Sequence, residues 1–79
     1  MKARITVTLK TGVLDPQGKA IAGALAALGH EGVGDIRQGK VFDIELDESD
    51  SQRARDQLTD MCEKLLANTV IENYRIELV

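Results

Sequence analysis

The chain has 79 residues, a formal net charge of −3 and a pI near 5.0. A chain this short forms one domain, residues 1–79, and buries only about 60% of its unfolded surface, so we expect partners to supplement its stability. Its single cysteine and single histidine exclude an internal disulfide and a Cys/His zinc site within one chain. An acidic chain with two aromatic residues is also unlike a nucleic-acid-binding protein.

Targeting signals are missing as well. No apolar run approaches the roughly 18 residues of a membrane span, and the N-terminus lacks the apolar region of a secretion signal. We therefore predict a cytoplasmic protein.

The first half of the chain predicts a strand followed by a helix. Lys2 to Lys10 alternates between apolar and polar residues, which is typical of a half-buried strand. Asp15 and Pro16 then predict a helix start, because aspartate is a strong N-cap and proline suits the first helical position. The helix is rich in alanine, and Gly29 is well placed to end it. Gly18 lies one turn inside, where a side chain would obstruct a closely approaching group.

The second half predicts two more strands, a helix and a last strand. Val33 to Gln38 and Val41 to Leu46 are predicted to form a hairpin around a turn at Gln38–Lys40. Ser49, with Gln52 three residues on, predicts the start of the second helix, which ends near Asn68. Its apolar stripe consists of Ala54, Leu58, Met61 and Leu65, with Cys62 and Leu66 beside it.

Tyr74 to Leu78 completes the pattern as an alternating strand. The order βαββαβ predicts an α+β fold of the ferredoxin-like type. This is a two-layer sandwich in which a four-stranded antiparallel sheet carries both helices on one face. The other face of the sheet would stay uncovered, and we predict that a second copy of the chain packs there.

Few residues are candidates for catalysis. Cys62 falls on the inner half of a helix, far in sequence from His30, so we interpret it as a core residue. The acidic run around Asp47 lacks the spacing of a calcium loop. Asp15 already places a carboxylate at the first helix start, which disfavours phosphate there. We therefore predict no catalytic residue, cofactor site or metal site on this chain.

Other functions of the predicted fold leave recognisable marks. An acylphosphatase would need an arginine between Thr11 and Gly18, and a copper chaperone would need two cysteines there. An RNA-recognition domain would need aromatic residues on the sheet face. None of these is present. A ligand-binding regulatory domain of the ACT type stays open as an alternative, since such domains also use a glycine-containing first loop at a dimer interface.

Two motifs carry a more specific resemblance. The first is KTGVLDPQGKA at Lys10–Ala20, followed by VGDIRQGK at Val33–Lys40. The second joins MCEKLLAN at Met61–Asn68 to VIENY at Val70–Tyr74. In this order, and over the whole chain, they resemble the PurS subunit family of phosphoribosylformylglycinamidine synthase.

The resemblance implies a small non-catalytic subunit in de novo purine biosynthesis. In that family the complex converts formylglycinamide ribonucleotide, glutamine and ATP to formylglycinamidine ribonucleotide, glutamate, ADP and phosphate. PurQ is the glutaminase and PurL the synthetase, which uses ATP and magnesium. The resemblance implies that this chain forms a dimer or a pair of dimers, bridges PurQ and PurL, and assists ammonia transfer, with no cofactor of its own.

We expect the first loop and the segment before the last strand to contact the partner subunits. Gln17 and Gly18 are the stronger candidates, because helix capping and turn geometry already account for several of the others. The candidate contact residues are Thr11, Gly12, Val13, Leu14, Asp15, Gln17, Gly18, Asn68, Ile71, Glu72 and Tyr74.

Overall fold

The computed structural model describes residues Met1–Val79, which form three strands and two helices. In chain order these are β1 (Lys2–Leu9), α1 (Pro16–Ala27), β2 (Gly39–Glu45), α2 (Ser51–Met61), a π-helical turn (Cys62–Leu66) and β3 (Glu72–Leu78).

The three strands form one antiparallel sheet in the order β2-β1-β3. The central strand is the most apolar, and Ile5 lies opposite both Phe42 and Ile76. Its inward residues Ala3, Ile5 and Val7 are buried beneath α2 and the π-helical turn, which bring Leu58 and Cys62 to the core. The sheet therefore has one covered face, the inner face, and one open face, the outer face.

The predicted four-stranded sheet is wrong, because residues 33–38 form no strand. Glycine at position 34 weakens this segment as a strand, and Gly32 has a positive φ of 78°. The segment lies against the first turn of α1 at Gly18 instead of joining the sheet. The backbone N–H of Gln38 donates to the Asp15 side chain rather than to a neighbouring strand. The predicted turn at Gln38–Lys40 is wrong too, since β2 already begins at Gly39.

The prediction that both helices cover one face is also wrong. Only α2 and the π-helical turn pack on the sheet, whereas α1 makes no extensive contact with any other element. The local signals around α1 are nevertheless confirmed. Asp15 caps its N-terminus, Pro16 is its first residue, and Gly29 follows its last turn with φ 92°. Local chemistry therefore sets the ends of the helix but not its packing.

Two details of α2 differ from the predictions. Its cap is Asp50 rather than Ser49: one Asp50 oxygen accepts from the N–H groups of Gln52 and Arg53 at 2.9 and 3.1 Å. The predicted core residue Leu65 is 82% exposed. In the π-helical turn the N–H of Ala67 donates to the carbonyl of Cys62, five residues back, at 3.1 Å. The wider turn moves Leu65 into solvent and brings Ala67 into the core.

Candidate interaction site

The two predicted contact segments, residues 11–18 and 68–74, adjoin at one end of the sheet. The backbone N–H of Lys10 donates to the carbonyl of Ile71 at 2.8 Å, and its ammonium group donates to the Asn73 side chain at 3.1 Å. The guanidinium of Arg37 donates to the Lys10 carbonyl at 3.2 Å. We call this meeting of three loops, together with the first residues of α1, β2 and β3, the loop junction; it comprises residues 10–18, 36–40 and 68–74.

A buried carboxylate holds the loop junction together. Asp15 is 5% exposed. One of its oxygens accepts from Gly18 N–H at 2.9 Å, and the other accepts from Gln38 N–H at 2.6 Å. These two backbone hydrogen bonds lower the pKa of Asp15, and the positive charge of Arg37 acts in the same direction. One side chain thus caps α1 and ties it to the residues that lead into β2.

We expect the stability provided by Asp15 to depend on pH. Its pKa is lower in the folded chain than in the unfolded chain, so the unfolded chain binds more protons and stability falls as pH drops below about 4. In Asp15→Asn the amide NH₂ group faces one of the two donating N–H groups, so the melting temperature should fall at neutral pH. The loss of stability on going from pH 6 to pH 3 should be smaller than in the wild type.

Asp50→Asn is the matched control for this prediction. Asp50 also caps a helix, but it is exposed and uses one oxygen for both N–H groups, which an asparagine carbonyl replaces. Thermal melts of the two variants across this pH range compare them directly. An Asp15→Asn melt that matches the Asp50→Asn melt at every pH would contradict the role of Asp15.

Gly18 has a reason inside the fold. It is buried, and a Cβ atom at this position would overlap the backbone carbonyl oxygen of Ile36. The space left by the missing side chain is therefore occupied by the chain's own backbone, not by a neighbouring protein. The neighbouring Gln17 is exposed and lines the cleft described below. The assignment of both residues to partner contacts stays a prediction.

A tight turn presents the second contact segment. The Asn68 carbonyl accepts from the N–H groups of Ile71 and Glu72 at 3.0 and 2.7 Å, and the Glu72 carboxylate accepts from Asn68 N–H at 2.6 Å. This reciprocal bonding leaves Val70 at the tip, 82% exposed, with Ile71 partly exposed beside it. The turn therefore presents two neighbouring apolar side chains to solvent.

An open cleft of about 460 Å³ lies at the centre of the loop junction. In this cleft the Nζ atom of Lys40 lies 4.0 Å from the Oε2 atom of Glu72. It is lined by Val7, Thr8, Leu9, Asp15, Pro16, Gln17, Gln38, Gly39, Lys40 and Glu72. Three predicted contact residues, Asp15, Gln17 and Glu72, thus share one cleft. The predicted residues outside it are Thr11, Gly12, Val13, Leu14, Gly18, Asn68, Ile71 and Tyr74.

The middle segment of the junction, residues 36–40, contains none of the predicted contact residues. The sequence predicts a strand or a turn at Ile36, Gln38 and Lys40, yet these residues complete the site through the Ile36 carbonyl, the Gln38 N–H and the Lys40 side chain. The signal that pointed to them was Gly18, whose missing side chain required a close neighbour. Nothing in the sequence said that this neighbour was residue 36.

Tyr74 and Cys62 lie on the inner face rather than in the cleft. Hydrogen bonding to the Glu63 carboxylate raises the pKa of Tyr74 to about 12. Burial raises the pKa of the Cys62 thiol, with the charge of Glu63 adding to the effect. Cys62 is fully buried in the core, as predicted. A protonated, buried thiol is a poor nucleophile.

No group of three or more His, Cys, Asp or Glu side chains is placed to hold a metal ion. None of the helices is both long enough and apolar enough to cross a bilayer.

The fold is that of a small α+β protein, and the loop junction is an ordered surface in which three segments of the chain are joined by hydrogen bonds at Lys10, Asp15 and Asn68. A family model described as PurS, phosphoribosylformylglycinamidine (FGAM) synthase, matches residues 2–79. The chain is 51% identical over 77 residues to phosphoribosylformylglycinamidine synthase subunit PurS of Mycobacterium leprae, covering 95% of this chain and 91% of that protein.

Solved structures agree. The chain superimposes on Bacillus subtilis PurS with a TM-score of 0.86 and 46% identity, covering 96% and 94% of the two chains. It superimposes on a chain of PurLQS from Thermotoga maritima with a TM-score of 0.89 and 29% identity, covering 99% and 95%. The chain belongs to the PurS family, the small subunit of FGAM synthase in purine biosynthesis, in which catalysis resides elsewhere in the complex.

Proposed function

We propose that this chain bridges the PurQ glutaminase and the PurL synthetase of FGAM synthase and assists the transfer of ammonia between them. The observation that carries this proposal is the match along 99% of the chain to a subunit of PurLQS. On this proposal residues 1–79 act as a single domain in the cytoplasm. ATP and magnesium are used on the synthetase, and this chain holds no cofactor of its own.

The physical task is to keep ammonia out of bulk water. Free ammonia in water is protonated and is then no longer a nucleophile. A small subunit that seals the contact between two active sites, and holds them in register, preserves the reactive form. The loop junction suits this role because its loops are fixed by hydrogen bonds: the side chain of Asp15 and the oxygens of Asn68 accept from backbone N–H groups, and the N–H of Lys10 donates to Ile71. Such a surface loses little conformational entropy when it binds.

Two valines of similar exposure test the site. Val70 lies at the tip of the loop junction, whereas Val79 is 76% exposed at the other end of the sheet, beside Lys2. We expect Val70→Asp to abolish or strongly weaken co-elution with the glutaminase and synthetase of the same organism, in the presence of ADP, magnesium and glutamine. Val79→Asp should co-elute like the wild type, because a charge at the interface centre has to be desolvated and one in solvent does not.

Thermal melts establish that both variants fold. Persistent separate elution of the wild-type chain would overturn the bridging proposal itself. Co-elution that both variants lose equally, or that neither loses, would move the contact surface away from the loop junction.

A further inference from the structure

The loop junction differs in charge from the rest of the chain. The chain as a whole has a net charge of −3, yet the junction contains three cations and only two carboxylates. The cations are Lys10, Arg37 and Lys40, and the carboxylates are Asp15 and Glu72. The junction is therefore a basic region on an acidic protein.

Both carboxylates of the junction are occupied within the chain. Asp15 is buried, and its two oxygens accept from two backbone N–H groups. The Glu72 side chain is 16% exposed, and its carboxylate accepts from the Asn68 N–H at 2.6 Å. Arg37, by contrast, is exposed, and the Lys40 side chain is 55% exposed. The charge that the junction presents to solvent is therefore positive.

Two of the three cations have no carboxylate partner. The Lys10 ammonium donates to the amide oxygen of Asn73, and the Arg37 guanidinium donates to a backbone carbonyl. Neither forms an ion pair, and the exposed Asp35, two residues before Arg37, pairs with neither of them. The cations of the outer face are all paired: Lys2 with Glu45 at 3.7 Å, Arg4 with Asp43 at 2.8 Å, and Arg75 with Glu77 at 3.0 Å. The junction thus leaves positive charge available that the outer face neutralises.

The chain anchors the Arg37 head group without using it up. Its Nη2 atom donates to the Lys10 carbonyl at 3.2 Å, which holds the guanidinium against the first loop. A guanidinium has five N–H donors in a planar fork, and this hydrogen bond uses one of them. The remaining donors match the geometry of a carboxylate. Because the head group is already positioned, it loses little conformational entropy when it binds one.

Apolar side chains adjoin these cations. The Lys10 backbone bonds both to Arg37 and, through its N–H, to the carbonyl of Ile71, so the exposed tip at Val70 and Ile71 lies beside the cationic side chains. Leu14, in the same loop as Lys10, is also exposed. A free inorganic anion makes no use of apolar side chains. A polypeptide can bring a carboxylate and an apolar side chain together, which is the combination that this surface matches.

We propose that the loop junction binds an acidic segment of a partner subunit. Its carboxylates contact Arg37 and Lys10, and an apolar side chain of the same segment packs on Val70 and Ile71. This inference rests on the proposed bridging function and adds the chemistry of the partner surface. Complementary charge speeds the encounter of two proteins and fixes their register. Salt screens attraction between exposed charges, so binding at this surface should weaken as the salt concentration rises.

Charge reversal at Arg37, measured across salt concentrations, tests the proposal. The chain is immobilised through a tag after Val79, which lies at the other end of the sheet, beside Lys2. An equimolar mixture of PurQ and PurL from the same organism is titrated onto it with ADP, magnesium and glutamine. We expect Arg37→Glu to raise the apparent dissociation constant about tenfold or more at about 0.05 M salt, and about twofold or less at about 1 M, where the charges are screened.

Two further variants separate charge from folding. Arg55→Glu is the matched control, because Arg55 is exposed on α2, outside the junction, and forms no ion pair. It changes the net charge by the same amount and should leave the dissociation constant within about twofold of the wild type at every salt concentration. Lys10→Gln removes a charge but keeps the backbone bonds of Lys10, and it should weaken binding in the same salt-dependent way as Arg37→Glu, to a smaller extent. Thermal melts establish that all three variants fold.

Several results would overturn the acidic partner segment. One is wild-type binding that does not change with salt, another is a loss in Arg37→Glu that is equal at all salt concentrations, and a third is an equal loss in Arg55→Glu. Melts of the isolated chain with inorganic phosphate form a second arm. A saturable rise in melting temperature that Arg37→Glu abolishes would assign the patch to a free anion instead. Binding without salt dependence overturns only this inference, whereas a wild-type chain that binds at no salt concentration overturns the bridging proposal as well.

Discussion

Gly18→Ala is expected to lower the free energy of unfolding by about 1–3 kcal/mol, the usual cost of forcing extra atoms into a packed site. The added Cβ would overlap the Ile36 carbonyl oxygen, so α1 and the middle loop of the junction have to separate. The Asp15 hydrogen bonds span the same contact and would be strained with it. Urea denaturation of the purified chain measures the change.

Gly23→Ala is the matched control, in the same helix and with the same substitution. A Cβ at position 23 meets nothing within 4 Å, and the backbone there is helical. Alanine should therefore raise the free energy of unfolding by about 0.4–1 kcal/mol, because it restricts the unfolded chain. If the two alanines shift stability in the same direction, the contact between Gly18 and Ile36 is not what requires the glycine.

Leu58→Ala is expected to lower the free energy of unfolding by about 2–5 kcal/mol. Leu58 is fully buried and belongs to the only helix that covers the sheet, so no neighbouring helix can move in to fill the cavity. The total stability of a small domain is about 5 kcal/mol or slightly more, so Leu58→Ala should remove a large part of it. Circular dichroism melts would show this loss as a much lower melting temperature than that of the wild type.

Leu65→Ala provides the comparison for Leu58→Ala. An uninterrupted α-helix would place both leucines on the same side, but the π-helical turn puts Leu65 in solvent. Its substitution should change stability by about 0.5 kcal/mol or less. A large loss at position 65 would mean that this leucine packs against a second copy or that the helix continues in regular α geometry.

Several features could be predicted from neighbouring residues alone. The start of α1 at Asp15 and Pro16 and its end before Gly29 both depend on groups within four residues of each other. Alternation alone predicted the first and last strands, apart from their exact ends. The family could be recognised as well, because motif order is written in the sequence.

The errors arose where a distant contact decided the outcome. Residues 33–38 have the apolar pattern of a strand, but the sheet offers them no neighbour and the Asp15 carboxylate takes the Gln38 N–H instead. Leu65 fits the helical stripe, but the π-helical turn, in which the Ala67 N–H donates to the carbonyl five residues back, shifts the pattern. The capping residue moved by one position because Asp50 accepts from two N–H groups.

The amino-acid sequence alone was enough to predict the start of α1, the alternating first and last strands, the absence of an internal disulfide and the membership of the PurS family. These follow from local backbone chemistry and from residue identity. Three outcomes emerged only from the folded chain: the sheet has three strands, α1 does not pack on it, and Gly18 makes room for Ile36. Those outcomes depend on which distant groups satisfy each other's hydrogen bonds and volume, and that competition is not visible in any stretch of neighbouring residues.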